Sequence, residues 1–413
     1  MNWGQAFAPL RERSFAWYFA SRFSNTLGSM MAQIALTFAV LDLTDSASAL
    51  GQVLAARTIP MVLFLLFGGV IADRFPRTLV LQLSNLLSAL TQGMVAWLVI
   101  SGTAELWMIV VLEAVNGTVW AVSFPAMSSL VPQLVRREQL QPANALLSLS
   151  RGGLTVLGPT IGALLVVTVG SGWALAFDAM TWLAAAVLLL PVRIPPRPPV
   201  EERSSTWQDL REGWSLFAGT TWLWVVVLGF SVLNAIHVGA WFTLGPALAK
   251  DTIGEQGWGL VLSADSAGLI VMTVVLLRLN LQRPLLVGML GCSLMGVPMV
   301  VLGVAPHLGL LIIMAFVAGA GIELFGMGWN LAMQENIDDR MLSRAYSYDA
   351  LGSFVAMPVG QLIYGPLGDA FGYRDVLLVS GVLYALIALS VLASRSVRDL
   401  RRAPAVRDAS VSS

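Results

Sequence analysis

The chain is poor in the residues from which most protein chemistry is made. Of 413 residues one is cysteine, Cys292, two are histidine, His237 and His307, and one is lysine, Lys250. A single thiol closes no intramolecular disulfide, and one thiolate with two scattered histidines makes no metal centre. Phosphate-cradling Gly-Lys loops are missing, so ATP is not the energy source, and no nucleophile or metal constellation supports an enzyme. No cofactor is expected. Charge is scarce too: 12% of residues are charged, against about a quarter in a soluble domain, and the formal net charge is zero. A nucleic-acid partner has no support, because the arginines lie between apolar blocks rather than on one basic face.

Apolar residues make up 57% of the chain, and the mean hydropathy is +0.76. They come in blocks of about 20 or more, the length a helix needs to cross hydrocarbon, where lipid cannot satisfy an open backbone N–H or C=O. About twelve such blocks are read, at roughly 16–41, 48–72, 78–101, 105–131, 141–169, 172–193, 222–248, 256–278, 284–304, 308–333, 344–368 and 373–394. The fold class is therefore an all-α polytopic membrane protein. An even count puts both ends on one side, and the arginines decide which. Arg11, Arg13, Arg74, Arg77, Arg136, Arg137, Arg193, Arg197, Arg203, Arg211, Arg278, Arg283, Arg340, Arg344 and the tail from Arg395 fall on the side of the termini, while only Lys250 and Arg374 fall opposite. Short cytoplasmic loops are enriched in Lys and Arg, so both termini are expected to be cytoplasmic. The first block is long and lacks a small-residue cleavage site, so it reads as a retained span. Arginine in place of lysine points to a GC-rich bacterial genome, and codon bias says nothing of mechanism.

The stretch RIPPRPPVEERSSTWQDLREGWSLFAG interrupts the blocks after the sixth, with prolines and charges that cannot stay helical in lipid. It divides the chain into an N-terminal six-helix bundle (1–193), a cytoplasmic linker (194–221), a C-terminal six-helix bundle (222–394) and a disordered tail (395–413). Within the linker Trp207, Leu210, Trp214 and Phe217 recur at helical spacing, opposite Asp209, Arg211 and Glu212; this suits either an interfacial amphipathic helix or a plain connecting one. A faint repeat supports the two halves: Gly153 and Pro159 in the fifth block match Gly352 and Pro358 in the eleventh at a common offset.

Between the second and third blocks the sequence reads GVIADRFPRTLVL, Gly69 to Leu81. Gly69 lets helices approach, Asp73 caps a helix or pairs with a base, and Arg74 and Arg77 hold a loop at anionic headgroups. The motif resembles the signature loop of the major facilitator superfamily, with Pro76 where a glycine is usual and Thr78 where a second consecutive base is usual. The resemblance implies that Gly69, Asp73, Arg74 and Arg77 latch the two halves; plain topological anchoring is the alternative. In the fifth block GGLTVLGPTIGA is similar to the superfamily's antiporter motif. Gly158 and Gly162 form a close-packing pair and Pro159 frees a carbonyl, although ordinary tight packing also accounts for all three. With SRFSNTLGSMMAQIAL, LVRREQLQPANALLSLSRGG, DDRMLSRAYS and GPLGDAFGYRDVLL, nearly the whole chain resembles the branch that holds the enterobactin exporter and the macrolide and tetracycline efflux proteins. The resemblance implies a twelve-helix fold of two bundles that works as a monomer, with spans one, four, seven and ten around a central cavity.

An ionisable residue inside a span costs a few kcal/mol unless it faces a partner or water. Polar stripes run along span one (Arg22, Asn25, Ser29, Gln33), span five (Asn144, Ser148, Arg151, Thr155) and span ten (Glu323, Met327, Asn330, Gln334). Arg57, Glu113 with Asn116, Asn234 with His237, and Asp265 add to them. Cavity candidates are thus Arg22, Asn25, Gln33, Arg57, Asn116, Trp120, Arg151, Asn234, His237, Trp241, Met327 and Asn330, the aromatics and methionine offering surface to an apolar ligand. A carboxyl in apolar surroundings can carry a proton. Depth ranks Glu323 first, then Asp265 and Glu113; static pairing with Arg22, Arg57 or Arg151 is the alternative for these acids. Asp178 and Asp349 read as structural, the latter with Arg344 in reach. The expected function is a proton-coupled exporter, an antiporter of lipophilic small molecules such as antibiotics or siderophores, with protons, substrate and membrane lipids as its partners. A facilitator or importer of a small metabolite, or a membrane sensor without flux, remains open, because fold does not fix direction.

Overall fold

In hydrocarbon a lone segment satisfies its backbone only by closing each N–H onto a carbonyl one turn back. The computed structural model describes residues 7–136, 139–193, 206–276 and 281–401, and twelve of its helices are long and apolar enough to cross a membrane. They are α1 (Arg13–Thr44), α2 (Ala47–Arg74), α3 (Arg77–Ser101), α4 (Leu106–Leu134), α5 (Leu140–Val169) and α6 (Ser171–Leu189) in the first half. The second half comprises α7 (Thr221–Lys250), α8 (Gly254–Leu276), α9 (Pro284–Val304), α10 (Leu308–Asn336), α11 (Asp339–Phe354 and Met357–Phe371) and α12 (Tyr373–Ser390).

α1 starts and α12 finishes at one end of the molecule, called here the terminal end; the opposite one is the far end. Far-end turns are tight. Gly102, Gly170, Gly254 and Gly372 take positive φ between 69° and 91°, where a side chain would be strained, and Asp45 does so at 47°. Three spans are irregular. Within α7, residues His237–Leu244 widen into a π-helical turn, and Thr243 Oγ1 donates to the Val238 carbonyl five residues back at 3.0 Å. α9 bends between Ser293 and Gly296. α11 breaks at Val355 and Ala356 ahead of Pro358, which has no N–H with which to continue the helix.

The packing repeats across the halves. α2 lies on α4 as α8 lies on α10; α3 lies on α6 as α9 lies on α12; α1 touches α6 and α5 as α7 touches α12 and α11. The halves meet through α2 with α11 and through α5 with α8, two contacts that exchange under the same pseudo-two-fold.

Between the halves, residues 194–205 lie outside the described residues, and the linker helix spans Thr206–Gly219. Its Trp214 and Phe217 pack on Tyr348 of α11, with ring centroids 5.9 and 5.8 Å away; the side chains of Trp207 and Leu210 lie outside the described residues. Residues Arg395–Arg398, expected to open a disordered tail, instead form a helical turn because Val397 is fully buried. Residues 402–413 lie outside the described residues.

Candidate functional site: a polar cavity sealed at the far end

Small residues decide where the halves touch. A methyl group at Gly51 of α2 would run into the Gln361 carbonyl of α11, and one at Gly259 of α8 would meet Ala163 and the Pro159 carbonyl of α5. Polar contacts gather beside them. Ser48 Oγ donates to Asp369 Oδ2 at 2.6 Å, Gln361 Nε2 to Thr58 Oγ1 at 3.1 Å, and the hydroxyls of Thr160 and Ser263 lie 2.7 Å apart. Lys250 Nζ, at the far end of α7, lies 2.9 Å from Asp42 Oδ1 and 3.8 Å from Asp45 Oδ1, and donates to the Leu41 carbonyl at 3.4 Å. These residues belong to the far half of α1, α2, α5, α7, α8 and α11, so the far end is shut.

Below this seal lies a cavity of about 400 Å³. Its wall comes from α1 (Tyr18, Ser21, Arg22, Asn25, Gln33), α2 (Arg57, Thr58), α3 (Ser84, Asn85, Ser88, Gln92), α4 (Asn116, Trp120), α5 (Arg151) and α6 (Asp178, Trp182), with Gln361 added by α11. It runs from Gln33 and Gln361 towards Tyr18, Met127 and Leu189 at the terminal end. The polar groups are knitted together: Arg22 Nη1 donates to Asn25 Oδ1 at 3.3 Å, and Asn25 Nδ2 to Asn85 Oδ1 at 3.5 Å. Trp120 stacks on Phe124 with centroids 4.9 Å apart, leaving a flat aromatic wall.

Glu113 sits behind this wall, fully buried, with Oε2 3.6 Å from Arg57 Nη1. Gln92 Nε2 and Asn116 Nδ2 donate to its Oε1 at 3.4 Å each, and Thr91 Oγ1 donates to Asn116 Oδ1 at 2.8 Å. Seven of the sequence-derived cavity candidates thus come together: Arg22, Asn25, Gln33, Arg57, Asn116, Trp120 and Arg151.

The others lie elsewhere. Asn234 Nδ2 donates to the Ser353 carbonyl at 3.0 Å and so ties α7 to α11. His237 packs against Phe242 and Tyr384, with centroids 5.1 and 6.4 Å away. Trp241 is 1% exposed and packs on Trp258 at 4.8 Å. Asn330 accepts from Tyr346 Oη at 3.1 Å, and Met327 is half-buried on α10. Glu323 accepts from Thr273 Oγ1 of α8 at 2.9 Å. Asp265 lies where α8 crosses Gly319 of α10, and its Oδ1 has no hydrogen-bond partner among the described residues. Asp349 accepts from Trp329 Nε1 at 2.9 Å and Ser353 Oγ at 3.2 Å, while the Arg344 side chain lies outside the described residues.

Of the gating motif, Gly69, Asp73 and Arg74 fall in 65–74, whose side chains lie outside the described residues; Arg77 opens α3. Gly158 and Gly162 let α5 lie against Met30 and Met31 of α1, and Pro159 turns its carbonyl to α8. Sequence reasoning left out Asn85, Ser88 and Gln92, although their spacing by three and four marks one polar face of span three. It also left out Gln361, and Asp178 was read as structural.

The fold and the cavity define a membrane transporter, and the comparisons name its family. A family model described as "Transmembrane secretion effector" matches residues 4–408. The chain belongs to this family of the major facilitator superfamily, whose members are transporters and not enzymes, and it is a multi-pass bacterial membrane protein. It is similar to macrolide efflux protein A of Streptococcus pyogenes, 23% identical over 390 residues that cover 90% of this chain and 93% of that protein. It is similar to the staphyloferrin A transporter of Staphylococcus aureus, 24% identical over 384 residues covering 89% and 92%. It also matches the multidrug efflux pump Tap of Mycolicibacterium fortuitum, 23% identical over 401 residues covering 90% and 93%. Among solved structures the nucleoside transporter NupG superposes with a TM-score of 0.74 at 12% identity, covering 92% of this chain and 98% of that one. A bacterial homologue of the lysosomal transporter Spinster, inward-facing and occupied, gives 0.75 at 14%, covering 96% and 99%.

Proposed function

We propose that the protein is a proton-coupled exporter of lipophilic small molecules, of the antibiotic or siderophore class, working as a monomer in the bacterial inner membrane by alternating access. The observation that carries this reading is the cavity shut at the far end and lined by both polar and aromatic groups, with buried carboxyls at its deep end. Arginine-rich loops favour the terminal end as the cytoplasmic one, which makes this conformation inward-facing. Substrate then enters from the cytoplasm or inner leaflet and sits between Trp120, Arg22 and Arg151. The halves rock about it, with the α2–α11 and α5–α8 contacts opening at the far end. A proton taken up outside replaces the substrate and is released inside on return. Gly69, Asp73, Arg74 and Arg77 hold the terminal end shut in the outward state, and Gly158, Pro159 and Gly162 serve as the sliding face of α5. Relatives that bear the names of macrolide, multidrug and siderophore transporters support export and the substrate class.

The test is made in inverted vesicles energised by respiration, with a pH-sensitive dye inside. Adding macrolides, cationic dyes or siderophores is expected to release protons from vesicles that hold the protein and not from vesicles without it. Silence across the panel sets antiport aside in favour of facilitated passage or sensing.

A further inference from the structure

The cavity's deep end holds more negative charge than positive. Glu113 of α4 and Asp178 of α6 are 0% and 1% exposed; Arg57 of α2 lies 3.6 Å from Glu113 and lines the same cavity as Asp178. Each acid sits seven residues in from the far-end start of its helix (106 to 113, 171 to 178), about 10 Å at helical rise. The two carboxyls are not equivalent. Oε1 of Glu113 is committed to Gln92 and Asn116, and Oε2 faces Arg57. Asp178 lines the cavity and Glu113 does not, while among the described residues neither Asp178 Oδ1 nor Glu113 Oε2 has a hydrogen-bond partner. Gly28 of α1 lies over Asp178 Oδ1, since any side chain there would collide with it and with Thr181 Oγ1.

We propose that Asp178 is the proton-binding residue of the transport cycle, with Glu113 and Arg57 as the charges that set its state. The proposal deepens the proton-coupled reading above and rests on it. Arg57 balances the carboxylate of Glu113, so a second ionised carboxylate at Asp178 leaves a net charge at a buried site, which costs several kcal/mol; one proton removes it. Asp178 takes that proton because it belongs to the cavity wall, whereas Glu113 lies behind that wall with Oε1 held by two amide N–H groups and Oε2 beside Arg57. The other facing groups agree. α3 brings only neutral Asn85, Ser88 and Gln92, and α11 brings neutral Gln361. Arg22 and Tyr18 of α1 and Arg151 of α5 line the same cavity nearer its terminal end.

When the proton leaves, the Asp178 carboxylate competes with Glu113 for Arg57. The Arg57 backbone cannot follow, because Gly117 of α4 packs directly on its carbonyl, so the side chain moves. That side chain is 38% exposed to the cavity, so proton and substrate meet at one guanidinium. Depth serves the same end, for opening the far end exposes Asp178 to the proton-rich side over a short path.

Infrared difference titration of the purified protein reads carboxyl protonation without transport. A titrating band of a protonated carboxyl is expected in wild type and in Glu323→Gln. It is expected to vanish in Asp178→Asn, return in Asp178→Glu, and move in Glu113→Gln, which removes the competitor for Arg57. In vesicles, Asp178→Asn is expected to cut substrate-driven proton release at least tenfold and Glu323→Gln less than twofold. A band unchanged in a monodisperse, fully helical Asp178→Asn protein overturns the assignment, as does a band lost in Glu323→Gln. Should wild type release no protons in vesicles, the antiport reading fails, yet the titration still decides whether Asp178 binds the proton.

Discussion

Lys250 is the chain's one lysine, and the account gives it the task of holding the far end shut. Its ammonium bridges α7 to the end of α1, 2.9 Å from Asp42, with a further hydrogen bond to the Leu41 carbonyl. Asp45 is 93% exposed at 3.8 Å and adds nothing measurable. The Asp42 pair is half-exposed, so solvent screening holds the whole contact to about 1 kcal/mol. The replacement Lys250→Gln keeps the length of the side chain and removes its charge. Because this contact exists only while the far end is closed, its loss raises the far-end-open population about fivefold. The assay is pulsed spin-label distance measurement between Thr103→Cys and His307→Cys, both exposed at the far end of opposite halves. Cys292→Ser supplies the background, since Cys292 is the one native thiol and lies buried 3.4 Å from Tyr384 Oη. The long-distance fraction is expected to rise in Lys250→Gln and to fall back at no salt concentration. An unchanged distribution refutes the latch.

Two further perturbations test the packing. Gly51→Ala puts a methyl group into the Gln361 carbonyl and forces α2 from α11, so the same spin pair is expected to widen more than in Lys250→Gln; a closed far end in this variant contradicts the contact. Trp329→Phe takes the indole N–H from the Asp349 carboxylate and leaves it with Ser353 alone. The expected loss is about 1 to 2 kcal/mol of stability, seen as a lower thermal midpoint, with substrate-driven proton release unchanged.

Much of this architecture is written in apolar block length. The tenth block, read as 308–333, is the helix Leu308–Asn336, and the first, read as 16–41, is Arg13–Thr44, because backbone satisfaction in lipid leaves little choice but helix. Polar stripes carried part of the site. Arg22, Asn25 and Gln33 of span one do line the cavity, and pairing of Glu113 with Arg57 was one of the readings left open. The irregular backbone was not legible: nothing in HVGAWFTL announces the π-helical turn, in which Gly239 lies against Tyr364 and the Gly360 carbonyl of α11. That Asp178 lines the cavity was not legible for a related reason. Its span holds few other polar groups, and its direction is set by Gly28 on another helix, a contact that no periodicity within span six contains. The polar residues of α7 and α10 were expected around the same cavity, but Asn234, Asn330 and Glu323 have hydrogen-bond partners within their own half.

The most direct test of proton-coupled export is accumulation in proteoliposomes under an imposed pH gradient, acidic inside, with a radiolabelled macrolide or siderophore outside. The account predicts that the label concentrates inside above its outer level and leaks back when an ionophore collapses the gradient. Equilibration to the same level with and without the gradient would contradict it.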